Sequence, residues 1–85
     1  MTADYPSALQ GQLQTLYAQA VQNNERPSDA YADIVTGLTR FLRNEHSAGR
    51  IAGFGVHCRP DNLQTRVNIW ASRSIRWNLD FLPKQ

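Results

Sequence analysis

Asp29 and Asp33 are the nearest approach to a pair of catalytic carboxylates in this chain, and His57 with Cys58 the nearest to a nucleophile and its base. On a helix the two aspartates stand one turn apart, as an acid and a base sharing a substrate would. They also fall opposite an apolar stripe, at the start of that helix. Compensation of the positive helix end is reason enough for carboxylates there. His57 and Cys58 are neighbours on a strand, where adjacent side chains point to opposite faces, so the imidazole cannot reach the thiol. Cys58 shares its parity with Phe54 and Val56, which predicts a buried, inert thiol. His46, His57 and Cys58 are the only ligand types besides carboxylates, and they lack paired spacing, so no metal site is expected. Gly49, Gly53 and Gly55 precede a strand instead of joining a strand to a helix. They predict a bulge or close packing, not a phosphate loop. No residue is assigned a catalytic role, no cofactor is expected, and the chain does not read as an enzyme.

Recognition chemistry is better represented. Arg66, Asn68 and Trp70 alternate along one side of a strand, and Arg76, Asn78 and Asp80 along the same side of the next. Trp and Arg anchor protein interfaces, so Trp70, Arg66, Asn68, Arg76 and Asn78 form the candidate partner-binding set. The same spacing also lets the Trp70 ring lie over arginine stems. An alternative is nucleic-acid binding, with Arg50, Arg59, Arg66, Arg73 and Arg76 on phosphates and Trp70 stacked on a base. Residues 1 to 46 hold three basic and five acidic side chains and residues 47 to 85 hold six and two, giving −2 and +4. A basic second half suits phosphates, an acidic protein or a neighbouring subunit.

Five elements must position these residues. Leu9, Leu13, Leu16, Tyr17, Ala20 and Val21 recur at helical spacing after Ser7, an expected N-cap, and predict a helix over about 8 to 23. Its other positions include Gln10, Gln12, Gln14, Gln19 and Gln22, an uncharged surface that a partner could cover. Tyr31, Ile34, Val35, Leu38, Phe41 and Leu42 predict a second helix over about 29 to 45, capped by Ser28 and ended near Gly49. The period then changes to two. Strands are expected over about 50 to 58, 64 to 71 and 75 to 82, with Ser72 and Arg73 as a tight turn between the last two. On the third strand Ile75, Trp77, Leu79 and Phe81 share the covered face. The architecture is therefore α+β: two antiparallel helices packed on one face of a three-stranded antiparallel sheet, in the order ααβββ.

Composition agrees with one folded unit. The chain has 85 residues, 41% hydrophobic and 19% charged, too apolar for a disordered tail and without a run that could span a membrane. Residues Met1 to Ser7 carry neither a basic start nor an apolar stretch, so no secretory leader is expected, and Cys58 has no partner for an internal disulfide. Synthesis in a reducing cytoplasm is the expectation.

From Ile34 to Pro83 the chain runs through a helix ending Leu42-Arg43-Asn44, then Gly49-Arg50-Ile51-Ala52-Gly53-Phe54-Gly55-Val56-His57-Cys58, then two strands ending Leu79-Asp80-Phe81-Leu82-Pro83. This stretch resembles the C-terminal region of phage contractile-tail sheath proteins, and more loosely the sheath initiators of contractile baseplates. The resemblance implies a virion component whose sheet is completed by neighbouring tail or baseplate subunits. The pairing surface would then be strand 1, from Ile51 to Cys58, and strand 3, from Ile75 to Leu82. The chain lacks the large domains that precede this region in a sheath and the Glu-Pro-Arg of many initiators. A non-enzymatic assembly protein, with homo-oligomerisation among its expected modes, is the leading expectation. A phage-encoded inhibitor of a host protein, using the same Trp and Arg face, is a further alternative.

Overall fold

The computed structural model describes residues 5 to 83. The elements are α1 (Tyr5–Gln22), α2 (Pro27–Ser47), β1 (Gly53–Cys58), β2 (Thr65–Trp70) and β3 (Arg76–Phe81). This is the α+β, ααβββ arrangement expected. The strands form one antiparallel sheet in the order β1-β2-β3. α2 lies mainly over β1, while α1 packs along α2 and touches the sheet at β3.

Each helix contributes one row to the core. α1 buries Leu9, Leu13, Tyr17 and Ala20, and α2 buries Ala30, Ile34, Leu38 and Leu42, so residues three or four apart face inward. β2, the central strand, supplies Thr65, Val67 and Ile69, all fully buried. Across the sheet the inward rows are Phe54–Ile69–Trp77, Val56–Val67–Leu79 and Cys58–Thr65–Phe81. The edge-strand members are half-buried except Phe81, because two helices do not overhang three strands completely.

Several local expectations are corrected. α1 is already helical at Tyr5, so Ser7 lies inside its first turns and does not cap it. α2 is entered through Arg26, whose backbone is extended and makes no side-chain cap, with Pro27 as the first helical residue. Proline's fixed φ suits that position and its missing N–H costs nothing there, so Ser28 is not the cap. α2 also runs to Ser47, two residues past the expected end.

Gly49 terminates it, at φ +80°. The Gly49 N–H reaches the His46 carbonyl and the Arg50 N–H the Glu45 carbonyl, both at 3.0 Å. These are the two bonds of a Schellman ending, which needs a left-handed residue between them. The Arg50 Nε then donates to Glu45 Oε1 at 3.0 Å, an ion pair where an apolar contact more often sits.

The strands are shorter than expected at five of their six ends. Ile51 is buried but precedes β1, and the Ala52 N–H bonds the Trp70 carbonyl at 2.7 Å, outside the regular ladder. The β2–β3 turn is wider than a two-residue hairpin. The Ala71 N–H donates to the Ile75 carbonyl at 2.9 Å, leaving residues 72 to 74 between that pair. A two-residue turn needs left-handed backbone, and neither Ser72 nor Arg73 adopts a positive φ.

Candidate protein interface

The uncovered face of the sheet carries the expected recognition residues in three cross-strand rows. They are Gly53–Trp70–Arg76, Gly55–Asn68–Asn78 and His57–Arg66–Asp80. Strict alternation along β2 and β3 places Trp70, Asn68 and Arg66 beside Arg76, Asn78 and Asp80, so all five predicted partner-binding residues lie together.

Their environments differ along the rows. Trp70 is half-buried although it faces away from the helices. A Cβ added at Gly53 would lie 3.8 Å from the Trp70 ring, so the ring leans over a neighbour with no side chain. The Arg76 guanidinium stands 5.8 Å from the ring centroid on the other side, within cation–π range. In the third row the Arg66 Nε donates to Asp80 Oδ1 at 2.9 Å. That hydrogen bond, followed by the Asp80 charge, raises the Arg66 pKa. Both side chains remain at least half exposed, so the pair orients the face more than it stabilises the fold.

Sequence reasoning placed Ile75 and Leu82 on a pairing strand but missed how exposed both are. Among the described residues Ile75 and Leu82 are the large apolar side chains most exposed, at 53% and 61%, and they stand immediately before and after β3. Parity alone puts Ile75 under the helices, and the structure corrects this. It lies one residue before the strand, beyond their reach, while Trp77 and Leu79 between the two are only half-buried. The parity of Ile75 gave its direction, but no pattern in the chain gave the extent of helix cover.

The backbone of β3 completes the surface. Alternation in antiparallel ladders turns successive residues toward one neighbour and then the other. The Ala71–Ile75 bond points the backbone of Ile75, Trp77, Leu79 and Phe81 toward β2. At the other side of β2 the Arg59 N–H donates to the Gln64 carbonyl at 2.9 Å, which fixes the same phase. The N–H and C=O groups of Arg76, Asn78 and Asp80 therefore face outward along the open edge.

The residues first weighed for chemistry are dispersed. Asp29 is exposed. Asp33 Oδ2 accepts from Asn24 Nδ2 at 2.8 Å, and that amide also donates to the Ala20 carbonyl at 2.7 Å, which ties the interhelical turn to both helices. His57 and Cys58 face opposite sides of β1. Cys58 points toward the core as expected but is half-buried, because it sits at the strand end where the helix cover stops. Among the described residues no group of three or more His, Cys, Asp and Glu is placed to hold a metal ion, and no helix is long and apolar enough to cross a membrane.

On the opposite side of the molecule, Ala8, Gly11, Gln12, Thr15, Leu16 and Phe41 line an open apolar groove of about 450 Å³ between the helices. Gln12 is the only member of the uncharged glutamine surface that enters it. No protein-family model, curated protein or solved structure matches the chain.

Proposed function

We propose that this chain is a non-enzymatic assembly protein, a small component of a contractile tail or baseplate, that works by extending its sheet across a subunit boundary. The observation that carries this reading is the β3 edge. Its outward backbone groups lie between exposed Ile75 and Leu82, and its inward side chains Trp77 and Leu79 are incompletely covered. A strand added there would satisfy the backbone and bury the apolar margin at once. The tail or baseplate assignment rests on the resemblance carried by Ile34 to Pro83.

The nucleic-acid reading has less support. Arg50, Arg59 and Arg66 each stand against a carboxylate, Glu45, Asp61 and Asp80 respectively, which reduces the positive field a phosphate backbone would meet.

Asn78→Pro tests the reading. Proline at an outward edge position removes the N–H a partner strand needs while leaving the ladder to β2 intact. Solution mass by light scattering, and co-sedimentation with contractile tail particles, should both show assembly in the wild type and its loss in the variant, with unchanged helical circular dichroism. Assembly that persists in Asn78→Pro would sink the reading.

A further inference from the structure

We infer that the partner of the β3 edge is a second copy of this chain, paired antiparallel about Asn78 so that Arg76 of each copy faces Asp80 of the other. The inference rests on the edge-extension reading and names its partner.

On its uncovered face β3 presents Arg76, Asn78 and Asp80, a cation, a neutral amide and an anion at equal spacing. Reversed end for end, that series is its own complement. A two-fold axis through Asn78 places Arg76 opposite Asp80 twice and Asn78 opposite Asn78 at the centre. Isologous pairing of this kind is the ordinary geometry of a two-fold dimer.

Backbone phase selects the same register. Arg76, Asn78 and Asp80 are the β3 residues whose N–H and C=O groups face outward, and this register makes all three hydrogen-bonded pairs with the other copy. Registers centred on Arg76 or Asp80 set like charges directly opposite, which is destabilising. Registers centred on Trp77 or Leu79 pair a charge with Asn78 and leave one outward residue outside the ladder. The Asn78 register therefore combines full backbone pairing with two opposite-charge contacts.

The covered face also benefits. Half-buried Trp77 falls opposite half-buried Leu79 of the other copy, twice, and exposed Ile75 falls opposite Phe81, so the apolar margin of one sheet meets that of the other. Asp80 already accepts from Arg66 at 2.9 Å, and it would then lie between two guanidinium groups. The product is a continuous six-stranded sheet with β1 at both outer edges. β1 itself offers no such code, since its uncovered face holds Gly53, Gly55 and His57.

Two single charge reversals test this register. In Arg76→Glu homodimers a carboxylate would oppose a carboxylate at both positions, and in Asp80→Arg homodimers a guanidinium would oppose a guanidinium. An equimolar mixture of the two variants gives heterodimers in which the new carboxylate of one chain faces the new guanidinium of the other, and the native Arg76 faces the native Asp80. By light scattering across a concentration series, the wild type should be a dimer, and each variant should dissociate about tenfold or more readily. The mixture should return heterodimers at close to wild-type affinity. Circular dichroism controls for folding, and an unfolded variant could not give that rescue. A wild type that stays monomeric overturns the inference, as does a dimer indifferent to both reversals or a mixture without rescue. If Asn78→Pro abolishes an assembly that the reversals leave untouched, the partner assignment fails and edge extension stands. If Asn78→Pro is also silent, both fail.

Discussion

The Tyr17 hydroxyl donates a 2.7 Å hydrogen bond to the Leu63 carbonyl, fastening the middle of α1 to the turn that joins β1 and β2. Leu63 has φ +63°, the one positive φ of a non-glycine among the described residues, and its side chain is buried. A leucine in the left-handed region costs about 1 to 2 kcal/mol, so the surrounding contacts must hold it there. Thr65 Oγ1 donates to the same carbonyl at 3.0 Å, and the Leu63 N–H bonds the Arg59 carbonyl at 2.8 Å. The Tyr17 ring also lies 5.7 Å from Phe81, so one side chain links the turn, α1 and the end of β3.

Removing that hydroxyl should loosen the turn without emptying the core. Tyr17→Phe keeps the ring and leaves Thr65 on the carbonyl, so a loss of about 1 kcal/mol is expected by urea denaturation. Amide exchange should quicken between Arg59 and Gln64 more than in α2. An unchanged unfolding midpoint would show that Thr65 and the backbone hold Leu63 unaided.

Alkaline pH should act through the same group. Burial first, and then the charge on Cys58, raise the Tyr17 pKa from 10.0 to about 12. The unfolded chain loses this proton at lower pH than the folded chain, so unfolding is favoured as pH rises. The contribution is fully present below pH 10 and disappears as pH climbs toward 12. Stability at about pH 11 should be lower by about 1 kcal/mol than at about pH 8 through this residue. Tyr17→Phe should lack that part of the decline, and an identical decline in both proteins would remove Tyr17 as its source.

Two glycine replacements should shift stability in opposite directions. Gly49 holds a positive φ at the end of α2, so Gly49→Ala should cost about 1 kcal/mol despite open space around its Cβ. Gly11 lies inside α1 with nothing within 4 Å of a built Cβ, so Gly11→Ala should add about 0.5 to 1 kcal/mol. Thermal unfolding of both variants reads the difference directly. A stabilised Gly49→Ala would contradict the assignment of Gly49 as the left-handed helix end.

The helices and the sheet faces were legible because each rests on a repeat. Ile34, Leu38 and Leu42 recur every four residues, and Arg76, Asn78 and Asp80 every two, so both inward and outward faces follow from counting. The end of α2 was legible at Gly49 because glycine alone adopts that conformation freely. Leu63 was not, since nothing in its type marks a left-handed residue and the bonds that hold it come from positions 17 and 65. The caps at Ser7 and Ser28 misled because each helix starts earlier, at Tyr5 and at Pro27, which puts both serines inside the first turn instead of before it. Within the candidate interface, the shared face of the five candidate residues was readable by parity, but the Arg66–Asp80 pairing depends on register, and the exposure of Ile75 depends on how far two helices reach.

Assembly through the β3 edge is tested most directly by backbone amide exchange in the wild-type chain, dilute and then concentrated or bound to tail particles. The outward amides of Arg76, Asn78 and Asp80 should slow by about tenfold or more as assembly proceeds. Those of Phe54, Val56 and Cys58, which face outward on the opposite edge by the same alternation, should stay fast. Continued fast exchange at Arg76, Asn78 and Asp80 in the assembled form, or protection confined to β1, would contradict the account.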